Sequence, residues 1–258
     1  MNHWNKISLY KYQQINEISE RKGVPDLDKT LFCTCIAFDM TEYQLDNAGM
    51  KKVGKLLNQI SKIFSSPFVP VTKKRIGKYA INYDAGAMTF GQYIELSHYQ
   101  SAPIVNAQKM LATVCHSYVD WLMKIFSKQK AVERRVRLHE KRAAYFLKQP
   151  ITEVMGSLQL IRERKKELDN QYKGLFGLDT SVHAESAQSD MFNKRYGWIY
   201  AASQVAEYER IKLEEAYGLP VRQAFHDLMF LKAKGKYEAE MAKKNAPSLN
   251  NNIPNNGR

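Results

Sequence analysis

The stretch "RYGWIYAASQVAEYERIKLEEAYGLPVRQAFHDLMFLKAK", residues 195–234, sets the fold class. Apolar side chains recur in it at three- and four-residue steps, the period of an amphipathic helix rather than of a strand. Gly218-Leu219-Pro220 interrupts the run, because glycine ends helices readily and proline cannot continue one. The segment therefore reads as two helices joined by a short turn. Trp198, Val205, Phe225, Leu228 and Met229 are its expected inner seam. His226 and Asp227 lie inside the second helix. Sequence neighbours sit about 100° apart around a helix, so the two side chains diverge and form no oriented acid–base pair. The segment reads as a packing module.

The same helical period runs through most of the chain upstream. Ser8 is placed to cap a helix carrying Leu9, Tyr12, Ile15 and Ile18, which ends near Gly23. Pro25 and Asp26 open a second helix, with Leu27, Leu31, Phe32, Cys35 and Phe38 expected inward. Thr41 reads as the cap of a short third helix. Residues 49–64 form a fourth, with Val53, Leu56, Leu57, Ile60 and Phe64 inward. Pro67 and Pro70 stop that run. Tyr79, Ile81 and Tyr83 then alternate at period two, which predicts a half-buried strand paired with Phe68–Thr72 in a small hairpin. Thr89 caps another helix, and Ile104–Phe126 reads as one buried helix through Ala107, Met110, Leu111, Val114, Tyr118, Trp121 and Leu122.

These readings give a mainly α-helical protein with one small β-hairpin near 68–84. The expected organisation is an N-terminal helical unit over 1–127 and a long basic helical hairpin over 128–173, broken at Pro150. A linker or mobile loop follows over 174–194, then the helical pair over 195–244. The Asn-rich tail 245–258 is too polar to bury itself.

The chain has 258 residues, enough to bury a substantial core, and 44% of them are hydrophobic. Its formal charge is +13, and so basic a surface attracts polyanions. Three cysteines, Cys33, Cys35 and Cys115, do not make a disulfide framework. No run approaches the roughly 18 consecutive apolar residues of a membrane span, and no signal peptide opens the sequence.

Catalytic and metal chemistry find little support. Cys33 and Cys35 lack a second CxxC or a histidine pair at ligand spacing, and the six histidines form no HExxH motif. There is no GxSxG elbow and no phosphate-loop glycine pattern. We expect no catalytic residue, no metal and no cofactor. The remaining candidate is the run "KQKAVERRVRLHEKR", residues 128–142, with seven basic residues against two acidic ones. Lys130, Arg134, Arg137 and Lys141 share a helical stripe, which Arg135 and Arg142 flank. The stripe is either a solvated face or a contact for a polyanion or an acidic partner.

Several segments carry a resemblance. "WNKISLYKYQQINEI" (4–18), "DKTLFCTCIAF" (28–38), "YDAGAMTFGQYIELSHY" (83–99), "KQPITEVMGSLQLIRERKK" (148–166) and the closing helices over 196–238 resemble tail-assembly-type proteins of tailed bacteriophages, including crAss-like phages. The resemblance implies a non-enzymatic morphogenesis protein acting through protein–protein contacts, assembled in the bacterial cytoplasm. It implies either a permanent virion part, at the portal–tail neck or packaged in the head, or a transient chaperone of the tape-measure protein. The charge and the tail favour the virion part, a homo-oligomer touching other phage structural proteins and, non-specifically, DNA. A basic nucleic-acid-binding protein of another kind is the remaining alternative.

Overall fold

The computed structural model describes residues 3–116, 131–176 and 187–245. Twelve α-helices and one three-stranded antiparallel sheet lie among them. The chain divides into two compact units, Met1–Leu168 and Asp169–Arg258. The boundary expected near residue 127 is not where the chain divides. The basic helix packs on the helices before it, so it belongs to the first unit.

The first unit opens with helices α1 (Leu9–Glu20), α2 (Asp26–Phe38), α3 (Glu42–Asp46) and α4 (Met50–Ser65). Ser8 caps α1 by accepting from the Lys11 N–H, and Thr41 forms a reciprocal capping box with Gln44 on α3. Asp39 ends α2 in the left-handed region at φ 54°, where its carboxylate takes an ion pair from Lys11 at 2.6 Å. On α2 the buried face is Cys33, Thr34, Cys35 and Ala37, whereas Leu27 is 67% exposed. Of the expected inward set only Cys35 is buried, and the rest of the buried face lies on Cys33, Thr34 and Ala37 instead. Small residues make the close contact, and Leu31, Phe32 and Phe38 are only half-buried. Trp4 stacks on Phe64 at 5.7 Å and donates its indole N–H to the Ser66 carbonyl, fixing the chain start against the end of α4.

The hairpin is real, but its strands are β1 (Arg75–Ile76) and β2 (Tyr79–Ile81). Residues 68–72 do not pair with them. The Val71 N–H donates instead to the Thr152 carbonyl, and the Thr72 hydroxyl donates to the Gly156 carbonyl. This segment is a strap across helix α8 (Ile151–Gln171). Gly156 permits the approach: a Cβ there would lie 2.5 Å from the Val71 carbonyl carbon. Helices α5 (Phe90–Tyr99, boxed by Thr89 and Gln92) and α6 (Ala107–Val114) follow. The long buried helix expected over 104–126 ends at Val114. There the backbone turns extended, and β3 (Cys115–His116) joins the edge of β2. Tyr118, Trp121 and Leu122 lie outside the described residues.

Helix α7 (Ala131–Leu147) and α8 complete the unit, and Pro150 separates them as expected. Ile151, Val154, Leu158 and Ile161 are fully buried along α8. The chain start closes on this turn. The Leu9 N–H donates to the Gln149 carbonyl, and the Ile151 N–H donates to the Ile7 carbonyl. No helix among the described residues is long and apolar enough to cross a membrane.

The second unit holds the end of α8, α9 (Lys173–Phe176), α10 (Ala187–Glu209), α11 (Leu213–Ala216) and α12 (Val221–Asn245). Its core is Ala202, Val205, Ala216, Val221, Ala224 and Phe225, all fully buried. Val205 and Phe225 hold the seam as expected. Trp198 and Leu228 are only half-buried, and Met229 is 38% exposed. Alanines take their place because small side chains let two helices approach closely. The Phe225 ring meets Tyr172 edge-on at 5.1 Å. Beyond Lys232 the picture changes: residues 233–245 of α12 are all exposed. Residues 177–186 of the expected linker and 246–258 of the tail lie outside the described residues.

Candidate polyanion-binding surface

Helix α7 sorts the expected basic residues onto two faces. Lys130 and the side chain of Arg134 lie outside what the structure describes. Arg137 and Lys141 are exposed and four residues apart, one turn along the same face. Arg135 and Arg142 do not flank them. With His139 and Phe146 they follow an i, i+4, i+7, i+11 row on the other side, where Phe146 is fully buried. Arg142 is half-buried on that row, with its Nε atom enclosed. The outward row instead continues through Tyr145 to Lys148, four and seven residues beyond Lys141.

The hairpin adds its own cations to that row. Gly77 opens the two-residue turn at φ +55°, and a Cβ on it would lie 1.7 Å from the Tyr145 hydroxyl. The Lys78 N–H donates to that hydroxyl at 3.4 Å, and the Lys78 ammonium stands 5.3 Å from the centroids of both Tyr79 and Tyr145. The Tyr145 ring is therefore the point at which the turn meets α7. Arg75 ties the turn by donating from Nη2 to the Lys78 carbonyl at 3.0 Å. Lys73 is neutralised by Glu153. Lys74, Arg75, Lys78, Arg137, Lys141 and Lys148 are all exposed, while Glu140 borders the row. These hairpin cations fall between the two strands that the sequence reading places at 68–72 and 79–83. The signal of the hairpin was Ile76 and Tyr79 bracketing a glycine turn.

One polar cluster has the residue types of a reaction centre. The buried Thr113 hydroxyl lies 3.2 Å from His139 Nε2 and 3.3 Å from a Glu95 carboxylate oxygen. Nε2 is also 3.2 Å from the Lys109 carbonyl. A carbonyl only accepts, so Nε2 must carry the proton to make that bond and cannot receive one from Thr113. The His139 ring stacks on Tyr99 at 6.2 Å, and burial, then Glu95, pushes the Tyr99 phenol up. The cluster ties α5, α6 and α7 together.

The other candidates are similarly quiet. Burial raises the thiols of Cys33 and Cys35, which disfavours the reactive thiolate. Among the described residues, no group of three or more His, Cys, Asp or Glu is placed to hold a metal ion. His226 is exposed and meets Tyr172 edge-on, while Asp227 is raised by burial and then by Glu209. An open cleft of about 480 Å³ between Tyr10, Lys11 and the end of α7 has the Lys11–Asp39 ion pair in its wall and Lys148 at one edge. Comparison with protein-family models, curated proteins and solved structures finds no match to this chain.

Proposed function

We propose that this chain is a non-enzymatic structural component of a tailed-phage particle, working through protein–protein contacts as a neck-ring or head-packaged subunit. One observation carries the contact-forming part of this reading. The last three turns of α12 extend past the packing of their own unit, with residues 233–245 exposed. An isolated helix of about that length is marginal in water, so such a segment gains most of its stability from a neighbour. Phe230, beside Tyr208 at 5.5 Å, leads a row that continues on the projecting segment through Ala233, Tyr237 and Met241, with Phe230 and Tyr237 more than half exposed. That row suits a second copy or another subunit of a particle. The phage assignment itself rests on the sequence resemblance.

Mass spectrometry of purified particles tests the reading. A virion part is present in many copies. A protein absent from particles that co-purifies with a long helical tape-measure protein is instead the assembly chaperone.

A further inference from the structure

We infer that the hairpin turn and the outward row of α7 together form a surface that grips the phosphate backbone of double-stranded DNA. The inference rests on this surface alone and does not need the particle reading.

Six exposed cations lie along two elements distant in sequence that meet at Tyr145: Lys74, Arg75 and Lys78 at the hairpin, Arg137 and Lys141 on α7, and Lys148 just past its last residue. The junction is built rather than incidental, since the turn seats on Tyr145 only because residue 77 is glycine. At 1.5 Å rise per residue the helical row is about 16 Å long, which spans roughly five phosphates of one strand at about 3.4 Å along the duplex axis. Four of the six cations are lysines, and Arg75 has committed part of its fork to the Lys78 carbonyl. Compact point charges spread over a surface suit a uniformly charged polymer. The forked guanidinium groups of Arg75 and Arg137 pair with phosphates as readily as with carboxylates.

The aromatic rings distinguish duplex from single strand. Single-strand binders stack bases on open aromatic faces. Tyr79 is buried, and Tyr145 is occupied by Tyr79 at 5.1 Å, Phe146 at 5.8 Å and the Lys78 ammonium. Among the described residues no open stacking platform accompanies these cations.

The test is fluorescence anisotropy of a labelled duplex of about 20 base pairs with the full chain, across a series of salt concentrations. Six contacts give a slope of log K against log salt near −5. The variant Lys74→Gln/Arg75→Gln/Lys78→Gln should weaken binding roughly tenfold to a hundredfold at low salt and reduce the slope by about three. The triple change Lys51→Gln/Lys52→Gln/Lys55→Gln on α4 removes the same charge elsewhere and should leave the slope unchanged. Circular dichroism melts confirm that both variants fold. Equal losses from the two triples would overturn the inference, as would tighter binding to single-stranded DNA or to polyglutamate at matched salt. Absence of duplex binding by the unaltered chain at low salt would overturn it too.

Discussion

The Lys165 ammonium donates to the Tyr93 hydroxyl at 3.0 Å while lying 4.2 Å from the centroid of the same ring. Both residues are buried, Lys165 at 6% exposure and Tyr93 at 1%. A buried cation depends on every partner it has, because its lost hydration must be offset inside the protein. Tyr93→Phe keeps the ring and removes the acceptor, which should cost about 1.5–3 kcal/mol in urea unfolding. The double variant Tyr93→Phe/Lys165→Met removes both polar ends and should recover most of that loss. A single variant with an unchanged midpoint would show that the hydroxyl contributes nothing to holding the charge.

Three glycines should respond differently to one added methyl group. Gly156→Ala places its Cβ against the Val71 backbone, and Gly77→Ala combines a positive φ with contact on Tyr145. Each should cost about 1–3 kcal/mol, the usual range for overpacking. Gly54 sits inside α4 with nothing within 4 Å of a built Cβ. Gly54→Ala should stabilise by about 0.5–1 kcal/mol through helix propensity alone. Thermal melts of the three variants should therefore move in opposite directions.

Asp227 makes stability depend on pH. Burial, then the nearby Glu209 carboxylate, raises its pKa above the ordinary aspartate value. Because the folded pKa is the higher one, folding favours the protonated acid. The stabilising contribution is complete below the unfolded value and is lost as pH rises through the folded value. At neutral pH the ionised group opposes folding. Asp227→Asn should raise Tm near pH 7 and have progressively less effect as the pH falls toward about 3. A larger gain at acidic pH than at neutral pH would reverse the sign and refute the cause.

The C-terminal seam separates core from rim over four residues. Phe225 is fully buried against Tyr172, so Phe225→Ala should cost about 3 kcal/mol or more. Met229→Ala, on a side chain 38% exposed, should cost under about 1 kcal/mol. Ending the chain after Lys232 should leave the thermal midpoint within about 0.5 kcal/mol of the parent, since the removed helix is exposed. If the projecting helix joins copies, the same truncation lowers the mass seen by light scattering.

Signals that act within one turn were legible in the sequence. Ser8, Thr41 and Thr89 cap their helices, and Pro150 breaks the chain where it stands. These are contacts between residues three or four apart, so a linear reading contains both partners. The misplaced elements each answer to a distant partner. Residues 68–72 have the apolar content of a strand, but their backbone groups go to Thr152 and Gly156 on α8. Cys115 and His116 leave a helical pattern because β2 offers an unpaired edge, and the Asn82 N–H takes the Val114 carbonyl. The basic run was visible as charge. Its division into an outward row and the inward Arg142 follows from which side of α7 meets α6, and the cations of the hairpin join it only in three dimensions.

The bond from the Thr152 hydroxyl to the Asn5 side chain spans 147 positions, and the Ile7–Ile151 and Leu9–Gln149 backbone bonds lie beside it. During synthesis the segment around Asn5–Leu9 therefore waits for residues 149–152, about 140 positions behind it, before it can dock. Until α8 emerges, Ile7 and Leu9, both buried in the finished unit, lack the surface that covers them. Closing so long a loop late makes folding slow and leaves apolar side chains exposed on the nascent chain. Refolding of the full chain should accordingly be limited by the docking of its own beginning.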